Sequence, residues 1–205
     1  MTIQLFNAGK RFNRDWIFRK LNATFEKGES YAIVGPNGSG KSTLLQVIAA
    51  NMAANEGTIE WKQNDGLINE NEVFQHISVC APYLEVIEEM TATEFLQFHA
   101  AFKPLLSSVS IDQMIEIVGL RKAADKQIRY YSSGMKQRIK LAQAIFSDVS
   151  ILLLDEPCTN LDTTGFALYH HLIENYCKNK LIIVSSNDVN EYDFCEERLN
   201  ILDYK

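Results

Sequence analysis

The sequence predicts an α/β fold built on a mainly parallel sheet, with a helical segment inserted in its middle third. Three observations carry this. The runs Ile151-Leu152-Leu153-Leu154 and Leu181-Ile182-Ile183-Val184 are continuously apolar, as strands of a parallel sheet covered on both faces must be. A strand-like run, Tyr31-Ala32-Ile33-Val34, enters a glycine-rich turn and leaves it as a helical pattern, Leu44 to Ala49. Between about residues 85 and 147 no strong strand pattern occurs, and helix-start signals take its place.

The elements follow in order. Thr2 to Phe6 and Leu21-Asn22-Ala23-Thr24-Phe25 alternate apolar and polar residues, the period of a half-buried strand. Lys27-Gly28 is a turn signal before the strand at Tyr31. Gly57-Thr58-Ile59-Glu60-Trp61 and His76-Ile77-Ser78-Val79-Cys80 read as further strands, joined by a polar Lys62 to Glu72 loop. Thr91-Ala92-Thr93-Glu94 and Ser110-Ile111-Asp112-Gln113 have the capping-box form, each followed by an apolar helical face. A helix is predicted over Ile139 to Phe146 and another from about Thr163 to Lys178, with a last strand at Arg198-Leu199-Asn200-Ile201-Leu202.

Bulk properties narrow the function. A chain of 205 residues, 46% hydrophobic and 22% charged, suits one α/β core with an inserted subdomain. The net charge of −6 argues against nucleic acid as the main partner. No apolar run approaches the ~20 residues that span a bilayer, and Met1-Thr2-Ile3-Gln4-Leu5 has neither the basic start nor the apolar core of a secretion signal. Membrane association is therefore expected only through a partner. Cys80, Cys158, Cys177 and Cys195 lie far apart, without metal-like pairing to His76, His99, His170 or His171, and read as reduced, packed thiols of a cytosolic protein.

The chemistry begins at Gly35-Pro36-Asn37-Gly38-Ser39-Gly40-Lys41-Ser42-Thr43. Strand, glycine loop and helix in this order form the phosphate-binding loop. Backbone N–H groups of the loop surround a β-phosphate, and the helix N-terminus adds its dipole. Lys41 supplies a point charge toward the β- and γ-phosphates, and the Ser42 hydroxyl is a Mg²⁺ ligand. The expected ligands are ATP and Mg²⁺. Downstream, Asp155 and Glu156 end a buried strand on opposite faces. Asp155 is expected to hold Mg²⁺ through water, and Glu156 to orient the hydrolytic water. Tyr131-Ser132-Ser133-Gly134-Met135-Lys136-Gln137-Arg138 opens a helix and reads either as a plain helix cap or as a second anion site.

Taken together these residues resemble the nucleotide-binding subunit of the ATP-binding-cassette family, over essentially the whole chain and in the family's order. The resemblance implies a P-loop NTPase core with an N-terminal antiparallel β-subdomain and an inserted α-helical subdomain at about 85–147, all in one domain. It implies a head-to-tail pair, with a second copy or a related chain, in which Ser132, Ser133 and Gly134 of one subunit close on the ATP of the other. It implies transmembrane permease subunits as further partners, and a peripheral place on the inner face of the cell membrane. Phe12 stands where the family stacks a ring on adenine, with Trp16 as the competing candidate. Asn160-Leu161-Asp162 resembles the loop that crosses the dimer seam, and Asp162 also reads as a helix N-cap.

Three departures qualify the resemblance. Tyr131, Ser133 and Met135 replace the first, third and fifth residues of the family's Leu-Ser-Gly-Gly-Gln signature, and Met135 cannot donate a side-chain hydrogen bond. Asn187 occupies the position of the switch histidine, so it can donate to a γ-phosphate oxygen but carries no charge. Ala81-Pro82-Tyr83-Leu84-Glu85 lacks the glutamine that approaches Mg²⁺, and Glu85 is read either as its substitute or as a solvated loop carboxylate.

Overall fold

In a computed structural model of the chain, residues 1–64 and 66–205 are described. They form two compact units: Met1–Ile77 with Ser150–Glu156 and Asn179–Lys205, and Ser78–Val149 with Pro157–Lys178.

The first unit holds an antiparallel sheet of β1 (Thr2–Phe12), β2 (Asp15–Glu26), β4 (Glu56–Gln63) and β5 (Gly66–Ile68), in the order β2-β1-β4-β5. Ile3 lies opposite Phe25 on one side and Trp61 on the other, and all three are buried. The strands run past the expected Thr2–Phe6 and Leu21–Phe25. Register shifts after Leu5 and Ala8, with Asn7 at φ +48°, break the alternation on which that reading relied. Asn13, at φ +54°, turns the β1–β2 hairpin in a conformation asparagine tolerates better than most residues. The expected Lys62–Glu72 loop is also corrected. Lys62 and Gln63 complete β4, Gly66–Ile68 pairs with it, and Glu70–Gln75 forms a 3-10 turn capped by the Asn69 side chain. Polar residues are at home there because the strands are exposed on one face; Asp65, within that expected loop, lies outside the described residues.

The parallel sheet contains β3 (Ser30–Val34), β7 (Ile151–Asp155), β8 (Leu181–Ser185) and β9 (Glu197–Asn200), in the order β7-β8-β3-β9. β6 (Ile77–Cys80) opens at the unit boundary, one residue later than expected. Every residue of β7 and β8 is buried, as their continuous apolar runs predict. The final strand ends at Asn200, and Ile201–Tyr204 is a 3-10 turn capped by the Asn200 side chain, which accepts from Leu202 N–H. Helix α1 (Lys41–Ile48) packs on β7 and β8.

The second unit is helical. It contains α2 (Ala92–Ala100), α3 (Ile111–Ile117), α4 (Ser133–Ile145) and α5 (Thr163–Tyr176). Both capping boxes form: Thr91 and Glu94 exchange hydrogen bonds, as do Ser110 and Gln113. Among the described residues between 85 and 147 only isolated bridges occur, at Thr91–Gln127 and Leu105–Ser147. α5 stops at Tyr176, two residues short of the expected end, with Cys177 as its cap. No described helix is long and apolar enough to cross a membrane. All four cysteines are buried and none is in a disulfide.

One half-buried group in this unit makes stability pH-dependent. His99 Nε2 lies 2.9 Å from the Ser147 hydroxyl and its Nδ1 lies 3.1 Å from Gln143 Nε2. Burial, aided by the nearby Lys103 charge, pulls its pKa down to about 4 from the ordinary 6.5. The unfolded chain therefore takes up a proton on this ring before the folded chain does. Above pH 6.5 the ring costs no stability; as pH falls from 6.5 toward 4 the folded state loses ground, and below 4 the slope disappears. The urea midpoint of the wild type is expected to fall more steeply over this window than that of His99→Gln. Glutamine keeps a donor and an acceptor but does not titrate. Equal slopes contradict the assignment.

A candidate nucleotide site

The parallel strand order brings three sequence-predicted loops to one edge of the first unit. β8 lies between β3 and β7, and Ser185 of β8 is in register with both Ile33 and Asp155. Adjacent strands are about 5 Å apart. The glycine loop after β3, the Asp155-Glu156 end of β7 and the Asn187 turn after β8 therefore emerge side by side. Such carboxyl edges of parallel strands are where α/β sheets bind ligands.

The loop itself is built from backbone. Ser39 N–H donates to the Pro36 carbonyl at 3.1 Å, and Leu44 N–H donates to Gly40 at 2.9 Å to open α1. Gly40 has φ +100°, and a Cβ there would lie 2.2 Å from Ile17 Cγ2, so only glycine fits. The Ser39 hydroxyl is buried and has no hydrogen-bond partner among the described residues. Lys41 is 5% exposed, and its Nζ donates to the carbonyls of Gly35 at 3.0 Å and Pro36 at 3.3 Å. A buried ammonium, an orphaned hydroxyl and a helix N-terminus with no acidic residue in its first turn form a donor set that fits a polyphosphate. Gly38 and Asn37 form the exposed crest of the turn, and Ser42 and Thr43 lie in the first turn of α1, with Ser42 exposed.

Asp155 is 2% exposed and its Oδ1 accepts from the Ser185 hydroxyl at 2.7 Å. Among the described residues no cation forms an ion pair with it. A buried carboxylate served only by a neutral hydroxyl is costly, so the donor set of Asp155 and Ser42 fits a divalent cation. Glu156 follows at φ +43°, with its N–H donating to the Ser185 carbonyl at 2.9 Å. A non-glycine residue in this conformation is strained, and such strain concentrates at functional positions. Asn187 is exposed; the preceding Ser186 hydroxyl accepts from Asp188 N–H at 2.9 Å and shapes the turn.

The two aromatic candidates differ. Trp16 is covered by guanidinium groups, with Arg19 4.5 Å and Arg11 5.4 Å from the ring centre. Phe12 is 46% exposed, with the Lys10 ammonium 5.6 Å from its ring centre. Phe12 therefore offers the more open face for a base.

In the second unit Ser132 and Ser133 are exposed at the start of α4, and Ser132 Oγ accepts from Met135 N–H at 3.3 Å. Both readings of this segment thus survive, a cap and an accessible hydroxyl. A Cβ on Gly134 would lie 3.1 Å from the Asn160 carbonyl. The signature turn and the Asn160-Leu161-Asp162 loop together line a cleft of about 420 Å³. Asp162 caps α5 by accepting from Gly165 N–H and Thr164 Oγ1, each at 2.8 Å, and these hydrogen bonds lower its pKa. Tyr131, in the place of the family's leucine, is buried, and its hydroxyl donates to the Ala123 carbonyl at 2.7 Å. Glu85 is exposed on the loop after β6.

Two contributors escaped the sequence reading. Gln137 is buried, and its Nε2 donates to the Pro157 carbonyl at 2.6 Å, fixing the start of the Cys158-Thr159-Asn160 turn. Ser185 positions Asp155; the end of a parallel strand beside a known carboxylate is the signal that could have found it.

Comparison with known proteins agrees with this geometry. The family model described as "ABC transporter" matches residues 18–159. The uncharacterized ABC transporter ATP-binding protein YybJ of Bacillus subtilis is 31% identical over 90% of this chain and 85% of its own length. The cytochrome c biogenesis ATP-binding export protein CcmA of Aliivibrio fischeri is 32% identical over 82% of each chain. Of the ABC transporter A family member 11 of Dictyostelium discoideum, 31% identical, the chain spans 22%. A putative ABC transporter ATP-binding protein from Pyrococcus furiosus has the same fold, with a TM-score of 0.84 at 21% identity over 100% of both chains. The dimeric structure of MJ0796, a bacterial ABC transporter cassette, matches with a TM-score of 0.81 at 22% identity, over 97% of this chain and 94% of that one. With its parallel core, antiparallel sheet and helical unit in the matching order, the chain belongs to the ABC transporter family as an ATP-binding subunit.

Proposed function

We propose that this subunit hydrolyses ATP as one half of a head-to-tail pair and drives separate transmembrane permease subunits from the inner face of the cell membrane. The observation that carries the reading is the register of β3, β8 and β7, which sets the Lys41 loop, Asp155, Glu156 and Asn187 along one sheet edge. In this reading Lys41, the amides of Gly38 to Ser42 and the Ser39 hydroxyl bind the phosphates. Ser42 and Asp155 hold Mg²⁺, which would neutralise charge on the β- and γ-phosphoryl oxygens. Phe12 stacks on the base. Glu156 accepts a hydrogen bond from the attacking water and takes its proton, while the Asn187 amide donates to a γ-phosphoryl oxygen.

The signature segment completes the site in trans. Ser132 and Ser133 are exposed rather than packed into their own unit, so a facing copy can reach them. The dimeric MJ0796 structure and the name of CcmA as an export protein support the pairing and the transporter role. Co-purification with a multi-helix membrane protein is the test; recovery of only the soluble chain, from membranes as well as from cytosol, favours an ATPase without a membrane partner.

Asn187 supports a second, narrower reading in which turnover is slow. Hydrolysis through Glu156 alone is expected to show no imidazole-type step between pH 5.5 and 8, and Asn187→His is expected to raise the rate about tenfold and introduce one. ATPase rates across that range decide it. A pronounced step in the wild type contradicts the assignment of Asn187.

A further inference from the structure

Lys205 reaches the phosphate loop. Its Nζ donates to the Ser39 carbonyl at 2.6 Å and to the Ile17 carbonyl of β2 at 2.8 Å. The segment that delivers it is fixed. The 3-10 turn Ile201–Tyr204 is capped by Asn200, Lys205 N–H donates to Leu202, and Ile201 is fully buried. That turn also touches the loop itself. A Cβ on Gly35 would lie 2.9 Å from Ile201 Cγ2, and one on Gly40 would lie 2.2 Å from Ile17 Cγ2. Ile17 and Ile201 therefore close on the two glycines that bound the loop, and the Lys205 ammonium links the backbone of the same region.

We propose that Lys205 is a positioning residue for the triphosphate: its ammonium ties the Ser39 carbonyl of the phosphate loop to β2 and strengthens the loop as an anion cradle. Two physical effects support this. Ser39 and Gly40 share a peptide unit, so donation to the Ser39 carbonyl polarises that unit and makes the Gly40 N–H a stronger donor. The ammonium also places a second positive charge beside the loop, in addition to Lys41, where a triphosphate carries its negative charge. Both hydrogen bonds go to backbone carbonyls, so Lys205 acts through the loop rather than on the reacting atoms. The inference rests on the reading of Gly35–Thr43 as the triphosphate site.

The test uses the full chain with wild type, Lys205→Met, Lys205→Arg and, as a charge control, the exposed Lys122→Met. Mg-ATP binding is titrated at equilibrium, steady-state hydrolysis is measured, and urea midpoints are recorded. Lys205→Met is expected to weaken ATP binding and raise KM about tenfold, the scale of one charge-assisted hydrogen bond. Saturating kcat is expected to stay within about twofold, because no group on the reacting atoms is lost. Lys205→Arg should recover most of the affinity, and Lys122→Met should match the wild type. An unchanged KM in Lys205→Met, with wild type binding ATP normally, overturns the clamp alone. A rise in KM that Lys205→Arg does not reverse, accompanied by an equal loss in urea midpoint, assigns Lys205 to folding and also overturns it. Absence of ATP binding in the wild type overturns the triphosphate reading and the clamp together.

Discussion

Lys41→Ala is expected to lower ATP affinity at least about a hundredfold, because a desolvated charge–phosphate hydrogen bond contributes about 3 kcal/mol. Lys41 is 5% exposed, and its ammonium is held by the Gly35 and Pro36 carbonyls, within the loop it would serve. The Lys205 ammonium also reaches the loop, but it is engaged with the carbonyls of Ser39 and Ile17. No neighbour therefore restores the lost charge at the same reach. Removing Lys41 also frees two carbonyls that water can solvate, so the fold should survive. Equilibrium titration with a fluorescent ATP analogue, with circular dichroism to confirm folding, measures the effect. Retention of wild-type affinity by a folded variant contradicts the assignment of the loop.

Glu156→Gln is expected to reduce steady-state hydrolysis by about a hundredfold or more, the range associated with loss of a positioned general base. Glutamine preserves size and can adopt the same backbone, so nucleotide binding should change little. The variant should accumulate as an ATP-bound pair that sizes as a dimer in the presence of Mg-ATP. Single-turnover hydrolysis separates this from the slow-turnover reading. If wild type and variant hydrolyse bound ATP at the same low rate, Glu156 is not the base and the subunit works by binding and release.

Legibility of the sequence depended on how local each signal was. The parallel core was readable because β7 and β8 are buried along their whole length, so no alternation had to be decoded. The two capping boxes were readable because donor and acceptor lie three residues apart. The strand, glycine turn and helix around Gly35–Thr43 were readable for the same reason, the turn's glycines and lysine lying within one short stretch. The long β1–β2 hairpin was underestimated because its bulges at Asn7 and Lys20, both at positive φ, shift the inward-facing residues. β5 was missed since an edge strand of three residues carries too little pattern to exceed a polar loop. The contacts made by Ser185, Gln137 and Lys205 are hidden from the sequence for a different reason. Each depends on a partner 20 or more positions away, so topology, not spacing, creates the contact.

Met135 illustrates how the departures from the family pattern are absorbed. Its backbone N–H serves the Ser132 hydroxyl, so the cap does not depend on the side chain. Tyr131 adds a hydrogen bond to Ala123 that a leucine could not make, anchoring the residue immediately before the signature serine. The Tyr131–Met135 segment is thus well fixed to its own unit while its two serines stay open to solvent.

The close approach of Gly134 to the Asn160 carbonyl has a mechanical meaning. A side chain at Gly134 would crowd main chain directly, since a Cβ there would meet the Asn160 carbonyl oxygen at 3.1 Å. Alanine at this position would require the Asn160 carbonyl to give by a few tenths of an ångström. Glycine therefore lets the turn that opens α4 and the loop before α5 sit together without displacing either.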